Sequence, residues 1–180
     1  GLRSKQGAPL SFTMYASDTA EHRLVAGMLK RQWRQVGVDC QTVFQSDDDL
    51  SSTVATHSYD ALLYGISIGV DPDVYVYWDS SQTDPRSTRL NFSMYKSGTA
   101  DTALEAGRTR QDPVLRAVKY KSFLQAWQQD APAVGLYQPR FLYLTNEKVY
   151  GLDAVSINTD TDRFNNVVNW EVRTAKVTTH

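Results

Sequence analysis

The sequence predicts a mixed α/β fold in which strands and helices roughly alternate along the chain. Two observations predict it. Segments of alternating or continuous apolar residues recur between segments with helical periodicity. The first strand–helix–strand succession is also short enough to form a right-handed βαβ unit, which places both strands parallel in one sheet. A chain of 180 residues is long enough to bury a core, so we expect residues 1–180 to form a single domain.

The first predicted strand and helix are the most clearly patterned part of the sequence. Residues 9–16 alternate as a strand, and Ser17 and Asp18 follow as candidate helix N-caps. Asp18 and Glu21 have capping-box spacing. The helix ends before Gly37, a residue type that favours helix C-termini. Its apolar face consists of Leu24, Val25, Met28, Leu29, Trp33 and Val36.

A second strand and a short helix follow. Residues 38–44 alternate again, and we expect Cys40 to be a small buried apolar side chain there. The three aspartates at 47–49 lack the alternating ligands and the glycine of a calcium loop. Acidic groups stabilise the first turn of a helix through its dipole, so we predict a short helix that ends near Thr56.

The next passage is the candidate ligand-binding site. The apolar run at 59–68 is typical of a central strand that is buried on both faces. Residues 69–82 then combine a glycine, an Asp-Pro turn and several aromatic residues, with a short helix predicted at 73–80. In open α/β sheets, ligands bind beyond the carboxyl ends of the strands, which is where this passage lies.

The second half of the chain predicts two helices and two strands. A loop precedes a helix at 99–108, and an Asp-Pro pair at 112–113 starts a helix that ends near Asp130. Residues 133–137 and 141–144 are predicted strands ahead of an irregular tail. The apolar face of the second helix consists of Leu115, Val118, Ser122 or Phe123, Ala126 and Trp127.

Composition excludes several classes of function. The net charge of −1 argues against a nucleic-acid partner. No apolar run approaches the roughly 20 residues that span a bilayer. The first ten residues are polar, so we expect a mature segment without a signal peptide. Cys40, the one cysteine, has no partner for an internal disulfide.

Motifs for catalysis or metal binding are not found in the sequence. His22, His57 and His180 are far apart and lie in no zinc motif, and no nucleophile elbow, Walker loop or dinucleotide fingerprint occurs. Carboxylates at 71, 73 and 79 could form an acid–base pair, but turn formation and helix capping explain them more simply. We therefore expect no enzyme activity, no cofactor and no metal. A glycosylation sequon at 91–93 is the remaining motif.

Several ordered pieces of the chain resemble the bacterial extracellular solute-binding proteins of family 5, the peptide, nickel and opine class. The resemblance covers nearly all of the chain. The pieces that carry it are residues 7–12, 29–38, the YDALLYG of 59–65, the DPD of 71–73, 120–137 and 149–152.

This resemblance implies a fold and a function. Members are two-lobed, close around a ligand and pass it to an ABC permease in the membrane. The chain resembles only the second, carboxyl-terminal lobe, so the N-terminal lobe and the export signal, often a lipoprotein one, are expected to be absent. The implied fold is a type II periplasmic-binding-protein lobe, a mostly parallel sheet flanked by helices. The implied protein is extracytoplasmic and monomeric and takes peptides or similar small solutes.

The resemblance also implies site residues. In the peptide binders of this family, a Trp usually follows the strand glycine, and an Asp slightly later often holds the peptide amino group. Here those positions are Ile66 and either Gly69 or Val70, so the usual amine anchor is replaced; Asp71 or Asp73 could substitute. Backbone groups at 68–70 could grip a peptide main chain, since Gly69 permits close approach. The predicted ligand contacts are Ile68, Gly69, Val70, Asp71, Asp73, Tyr75 and Trp78, with Tyr64, Asn91 and Tyr95 as weaker ones.

Two other functions stay open from the sequence alone. A stand-alone interaction or sensor domain could use the same fold. An enzyme that borrows the fold would need paired titratable groups in one cleft. Structural packing also remains an alternative explanation for every predicted contact.

Overall fold

The computed structural model describes residues 1–69, 71–84, 90–146, 148–152 and 159–172. The chain forms two compact units. Unit 1 comprises Gly1–Ser67 and Asp73–Pro132, and unit 2 comprises Ile68–Pro72 and Ala133–His180. Unit 1 therefore contains the predicted βαβ region and the two long helices of the second half.

A parallel sheet is the centre of the first half of unit 1. The strands of unit 1 are β1 (Ser4–Lys5), β2 (Ala8–Pro9), β3 (Ser11–Ser17), β4 (Asp39–Gln45) and β5 (Ala61–Leu63). The sheet has the order β4-β3-β5, and both pairings are parallel. A short antiparallel hairpin of β1 and β2 precedes it. The predicted parallel βαβ arrangement is thereby confirmed.

Helix α1 (Ala20–Gln35) connects β3 to β4 and begins one residue later than the sequence suggested. Its N-cap is Thr19, whose hydroxyl oxygen accepts a hydrogen bond from the backbone N–H of His22 at 3.1 Å. The predicted caps Ser17 and Asp18 were wrong, because Ser17 still belongs to β3 and Asp18 pairs with Arg23. Gly37, with a φ of +81°, follows the helix in the left-handed conformation that glycine favours.

The apolar run at 59–68 is not a central strand buried on both faces, and that prediction was wrong. β5 comprises only Ala61–Leu63 and pairs with β3, which is the middle strand of the described sheet. Leu63 is buried, but Tyr64 and Ile66 are 47% and 41% exposed. An apolar run therefore predicted a strand correctly without predicting how far its pairing extends.

The remaining helices of unit 1 agree with the predicted positions. These helices are α2 (Asp47–Ala55), α3 (Tyr75–Trp78), α4 (Gly98–Arg108) and α5 (Pro113–Asp130). Ser46 caps α2 by accepting a hydrogen bond from the N–H of Asp49 at 3.2 Å. Asp112 caps α5 by accepting hydrogen bonds from the N–H groups of Val114 and Leu115, each at 2.9 Å.

The first half of the predicted apolar face of α5 was wrong. Leu115 and Val118 are 55% and 56% exposed, whereas Phe123 is 3% exposed. The buried face turns toward α4, where Gly107 lies against the ring of Tyr120. A Cβ at Gly107 would lie 3.0 Å from that ring, so the absence of a side chain there sets which face of α5 packs.

Two hydrophobic clusters form the core of unit 1. The sheet cluster lies between α1 and the strands, and its buried members are Met14, Ala16, Ala26, Cys40 and Leu63. The helix cluster lies between α4, α5 and the loop that follows α3, and its buried members are Tyr95, Ala100, Ala103, Leu104 and Phe123. The expected burial of Cys40 is confirmed.

Unit 2 contains little regular structure among its described residues. A two-residue antiparallel pair joins β6 (Val149–Tyr150) to β7 (Glu171–Val172). Residues 133–137 and 141–144 are not in strands, so both of those predictions were wrong. A strand needs neighbouring backbone groups to bond with, and the described residues supply none to these segments.

Candidate functional site

The carboxyl ends of the three parallel strands meet at one edge of the sheet in unit 1. Tyr64 directly follows β5, and its ring packs edge-on against Phe92 with centroids 5.2 Å apart. The hydroxyl of Tyr59 donates a hydrogen bond to the carbonyl oxygen of Phe92 at 2.7 Å. The loop around Phe92 is therefore fixed to the strand end where the site was predicted.

Asp73 and Tyr75 form a polar and aromatic group with Arg108, a residue that the sequence analysis did not single out. The Asp73 carboxylate accepts a hydrogen bond from the N–H of Tyr75 at 3.1 Å and pairs with Nε of Arg108 at 2.8 Å. The guanidinium of Arg108 lies over the Tyr75 ring, 4.1 Å from its centroid. The arginine was missed because no linear pattern connects position 108 with an Asp-Pro-Asp turn so far upstream.

Trp78 is placed chiefly as a packing residue. Its ring contacts the ring of Trp127 edge-on, with centroids 5.4 Å apart, and borders the helix cluster. The side chain is half-buried. Its packing role is thus shown, while its predicted contact with a ligand stays a prediction.

Asn91 is fully buried and has a structural role. Its amide nitrogen donates to the backbone oxygens of Asp79 at 3.0 Å and Tyr95 at 2.9 Å. Its amide oxygen accepts from the N–H of Tyr95 at 3.1 Å and from the hydroxyl of Ser93 at 3.1 Å. Each polar atom of the side chain is therefore used to hold the loop, and the sequon asparagine is 0% exposed.

Tyr95 is also buried, at 8% exposure. Its hydroxyl donates a hydrogen bond to Asp130 at 2.6 Å, which fixes the loop to the end of α5. Burial, and then the hydrogen bond with Asp130, raise the pKa of Tyr95 above its usual range. The contact of Asn91 and Tyr95 with a ligand stays a prediction.

The other predicted contacts belong to unit 2. Ile68 is 48% exposed. A Cβ at Gly69 would meet no atom within 4 Å, so no close approach to its backbone is present in the described part of the chain. Asp71 is exposed, and Val70 lies outside the described residues. The contacts predicted for these four residues remain predictions.

The carboxylates that could have formed an acid–base pair have capping and pairing roles where they are placed. Asp79 is 3% exposed and accepts hydrogen bonds from the N–H and the hydroxyl of Ser81 at 2.9 and 2.6 Å. Asp73 is held by Arg108. Among the described residues, no three His, Cys, Asp or Glu side chains converge as metal ligands.

Comparison with known proteins connects this fold to solute-binding proteins. Over 142 residues, covering 77% of this chain, the sequence is 25% identical to the oligopeptide-binding protein AppA of Bacillus subtilis. The solved structure of that AppA in complex with a nonapeptide matches 97% of the chain with a TM-score of 0.74 at 21% identity. NikZ from Campylobacter jejuni, solved in complex with Ni(L-His), matches 94% with a TM-score of 0.72 at 23% identity.

These relatives are much longer than the chain. It spans 26% of the curated AppA sequence and about a third of each solved relative, 34% for AppA and 35% for NikZ. No protein-family model matches it. Within the described residues, no helix has the length and apolarity to cross a membrane. The resemblance to family 5 solute-binding proteins and the type II periplasmic-binding-protein fold are both confirmed.

Proposed function

We propose that this chain is the second, carboxyl-terminal lobe of an extracytoplasmic solute-binding protein that captures peptides or similar small solutes for an ABC importer. The carrying observation is the match of fold over nearly the whole chain to an oligopeptide-binding protein solved with its peptide. The sequence identity of 25% to the same protein supports it independently of the fold. In this proposal the lobe binds without catalysis, and the intact protein is a monomer at the outer face of the cell membrane.

The chemistry of the strand-end region supports ligand capture. Small-molecule sites combine aromatic walls with a few placed polar groups. Here the ring of Tyr64 is 47% exposed beside the strand end, and Tyr75 carries a hydroxyl that is hydrogen-bonded to Ser81 at 3.0 Å. Asp73 and Arg108 add charged groups next to that ring.

The apolar surface of unit 2 supports the proposal that an N-terminal lobe packs against this chain. Val134, Leu142 and Leu144 are 77%, 83% and 92% exposed, and burial of such a side chain is worth about 1.5–3 kcal/mol. We propose that these side chains pack against the N-terminal lobe. The coding sequence upstream of Gly1 tests this directly. An export signal and a first lobe are expected there, whereas a start codon adjacent to Gly1 would favour a free-standing interaction domain.

Binding by the chain itself tests the proposed function. Titration of the isotope-labelled chain with short peptides should shift the amide resonances of Tyr64, Tyr75 and neighbouring residues in NMR spectra. Because half of the contacts and the closure are missing, the Kd should be about 1 mM or weaker. Tyr64→Ala should weaken the shifts, while Leu24→Ala, at a side chain 65% exposed on α1, should not.

Two results would contradict these statements in different ways. Micromolar affinity for the isolated chain would show that no second lobe is needed. Unchanged spectra with every peptide, at concentrations well above 1 mM, would remove the ligand-capture function itself.

A further inference from the structure

Arg108, the last residue of α4, is held in one orientation by two neighbours. Its Nε pairs with the Asp73 carboxylate at 2.8 Å, and its guanidinium plane lies over Tyr75 at 4.1 Å from the ring centroid. An arginine side chain is flexible when unrestrained, and ordering it costs entropy. In Arg108 that cost is already met by contacts within unit 1, so the group is pre-organised for a further interaction.

The outer edge of the same guanidinium is unused. In the part of the chain that the structure describes, its two terminal amino groups donate no hydrogen bond. The side chain is 44% exposed although it is pinned at Nε. Since arginine presents its N–H groups in a rigid fork, pairing at Nε leaves the edge formed by the two terminal groups directed away from that pair.

The geometry points to Arg108 as a binding residue for the carboxylate of a solute, an inference that rests on the proposed function and narrows its ligand class. The paired terminal N–H groups of a guanidinium match the two oxygens of a carboxylate, and such charge-assisted bonds are stronger than neutral ones. The Tyr75 ring beneath the guanidinium offers apolar contact to the group that carries the carboxylate.

Asp73 limits the strength of this interaction as well as fixing its geometry. Its negative charge offsets part of the attraction that Arg108 exerts on an anion, and the exposed position adds solvent screening. The site should therefore recognise a carboxylate by geometry and with modest affinity. In a peptide, the carboxylate could be the C-terminal group or an acidic side chain, and the two sources offer the same chemistry to the arginine.

Three blocked peptides separate these sources. N-acetyl-Ala-Ala-Phe carries a free C-terminal carboxylate, its C-terminal amide carries none, and N-acetyl-Ala-Asp-Phe-amide carries only a side-chain carboxylate. NMR titration of the full 180-residue chain should show about tenfold tighter binding of at least one carboxylate peptide than of the neutral amide. The resonance of the Arg108 Nε–H group should shift with that peptide.

Substitutions at Arg108 test the residue itself. Arg108→Gln should reduce binding of the carboxylate peptide about tenfold and leave binding of the amide unchanged. Arg108→Lys keeps the charge but loses the planar fork of N–H groups. Its affinity for the carboxylate peptide should therefore lie between that of the unsubstituted chain and that of Arg108→Gln. The matched control is Arg34→Gln, because Arg34 also pairs with an aspartate, Asp39 at 2.9 Å, which is the first residue of β4. Circular dichroism confirms that each variant is folded.

The outcomes separate this inference from the proposed function. Equal binding of carboxylate and amide peptides, or carboxylate binding that survives Arg108→Gln, overturns the inference and leaves solute capture standing. No binding by any of the peptides overturns both. If Arg108→Gln does not fold, two other results still test the inference. They are the affinity of Arg108→Lys for the carboxylate peptide and the shift of the Arg108 Nε–H resonance in the unsubstituted chain.

Discussion

The two clusters of unit 1 bury different kinds of side chain. The buried members of the sheet cluster, around Met14 and Cys40, are small or aliphatic, and the aromatic rings of Phe12, Trp33 and Phe44 pack only at its border. The helix cluster uses Tyr95 and Phe123, and tyrosine and tryptophan side chains surround it. It also lies next to the buried polar residues Asp79 and Asn91.

This difference indicates what each cluster contributes to the structure of unit 1. Apolar packing of local elements is a self-sufficient way to form a βαβ unit, and it needs no buried polar group. A long loop can be fixed in place only if its backbone groups find partners. The helix cluster supplies those partners through Asn91, Tyr95 and Asp130, and so it holds the loop that borders the candidate site.

The largest expected effect comes from truncating the centre of the helix cluster. Phe123→Ala should lower the free energy of unfolding by about 3–5 kcal/mol, because it leaves a cavity between α4 and α5. Urea unfolding followed by circular dichroism measures this loss. Leu124→Ala, next along the helix but 56% exposed, is the control and should cost under about 1 kcal/mol. Equal losses would show that the helix cluster is not a packed core.

The next effect concerns the buried amide of Asn91. Asn91→Ala should cost about 2–3 kcal/mol, because it removes three buried hydrogen bonds, which join the Asn91 amide to the backbone oxygens of Asp79 and Tyr95 and to the N–H of Tyr95. Ser93→Ala removes one hydrogen bond to the same amide and a longer one from the N–H of Tyr95, which keeps its bond to Asn91, and should cost about 1 kcal/mol or less. If the two variants unfold at the same urea concentration, the network does not support the loop as described.

The smallest effect concerns Tyr59, which joins the sheet half of unit 1 to the loop around Phe92. It appears at alkaline pH. Burial raises the pKa of Tyr59 from 10.0 to about 12. The unfolded chain therefore ionises this hydroxyl first, and the stability that it contributes is present below pH 10 and is lost as pH rises toward about 12. The loss should be roughly 2 kcal/mol.

Tyr59→Phe tests this assignment. The variant should show a smaller decline of the free energy of unfolding across that interval than the unsubstituted chain. A remaining decline is expected from Tyr95, whose pKa is also raised. Identical pH dependences of the two chains would mean that Tyr59 is not buried in its protonated form.

The sequence predicted the parts of the fold that depend on local pattern. Helix α1, the parallel strands β3 and β4, buried Cys40 and the Asp112 cap all follow from periodicity, residue size or hydrogen bonding within one turn. It did not predict which residues of α5 would be buried. That choice depends on Gly107 in another helix, and an apolar side chain such as Val118 can remain exposed.

The candidate site was less predictable for the same reason. Asn91 and Tyr95 were predicted as contacts, but the structure places them inside a hydrogen-bond network that joins distant segments. Arg108 was missed because its significance depends on Asp73, which is near only in the folded chain. The strands predicted at 133–137 and 141–144 failed because strand formation depends on a partner, which a single segment cannot specify.

The buried position of Asn91 also determines how the chain behaves in a host that attaches glycans to sequons. The transferase needs an accessible amide, and the folded loop offers none, since Asn91 is 0% exposed. A glycan can therefore be attached only before this loop folds, and a glycosylated chain cannot bury Asn91. Expression in such a host would divide the product into an unmodified folded pool and a modified pool that cannot complete the helix cluster, and the ratio of the two would report how fast this loop closes.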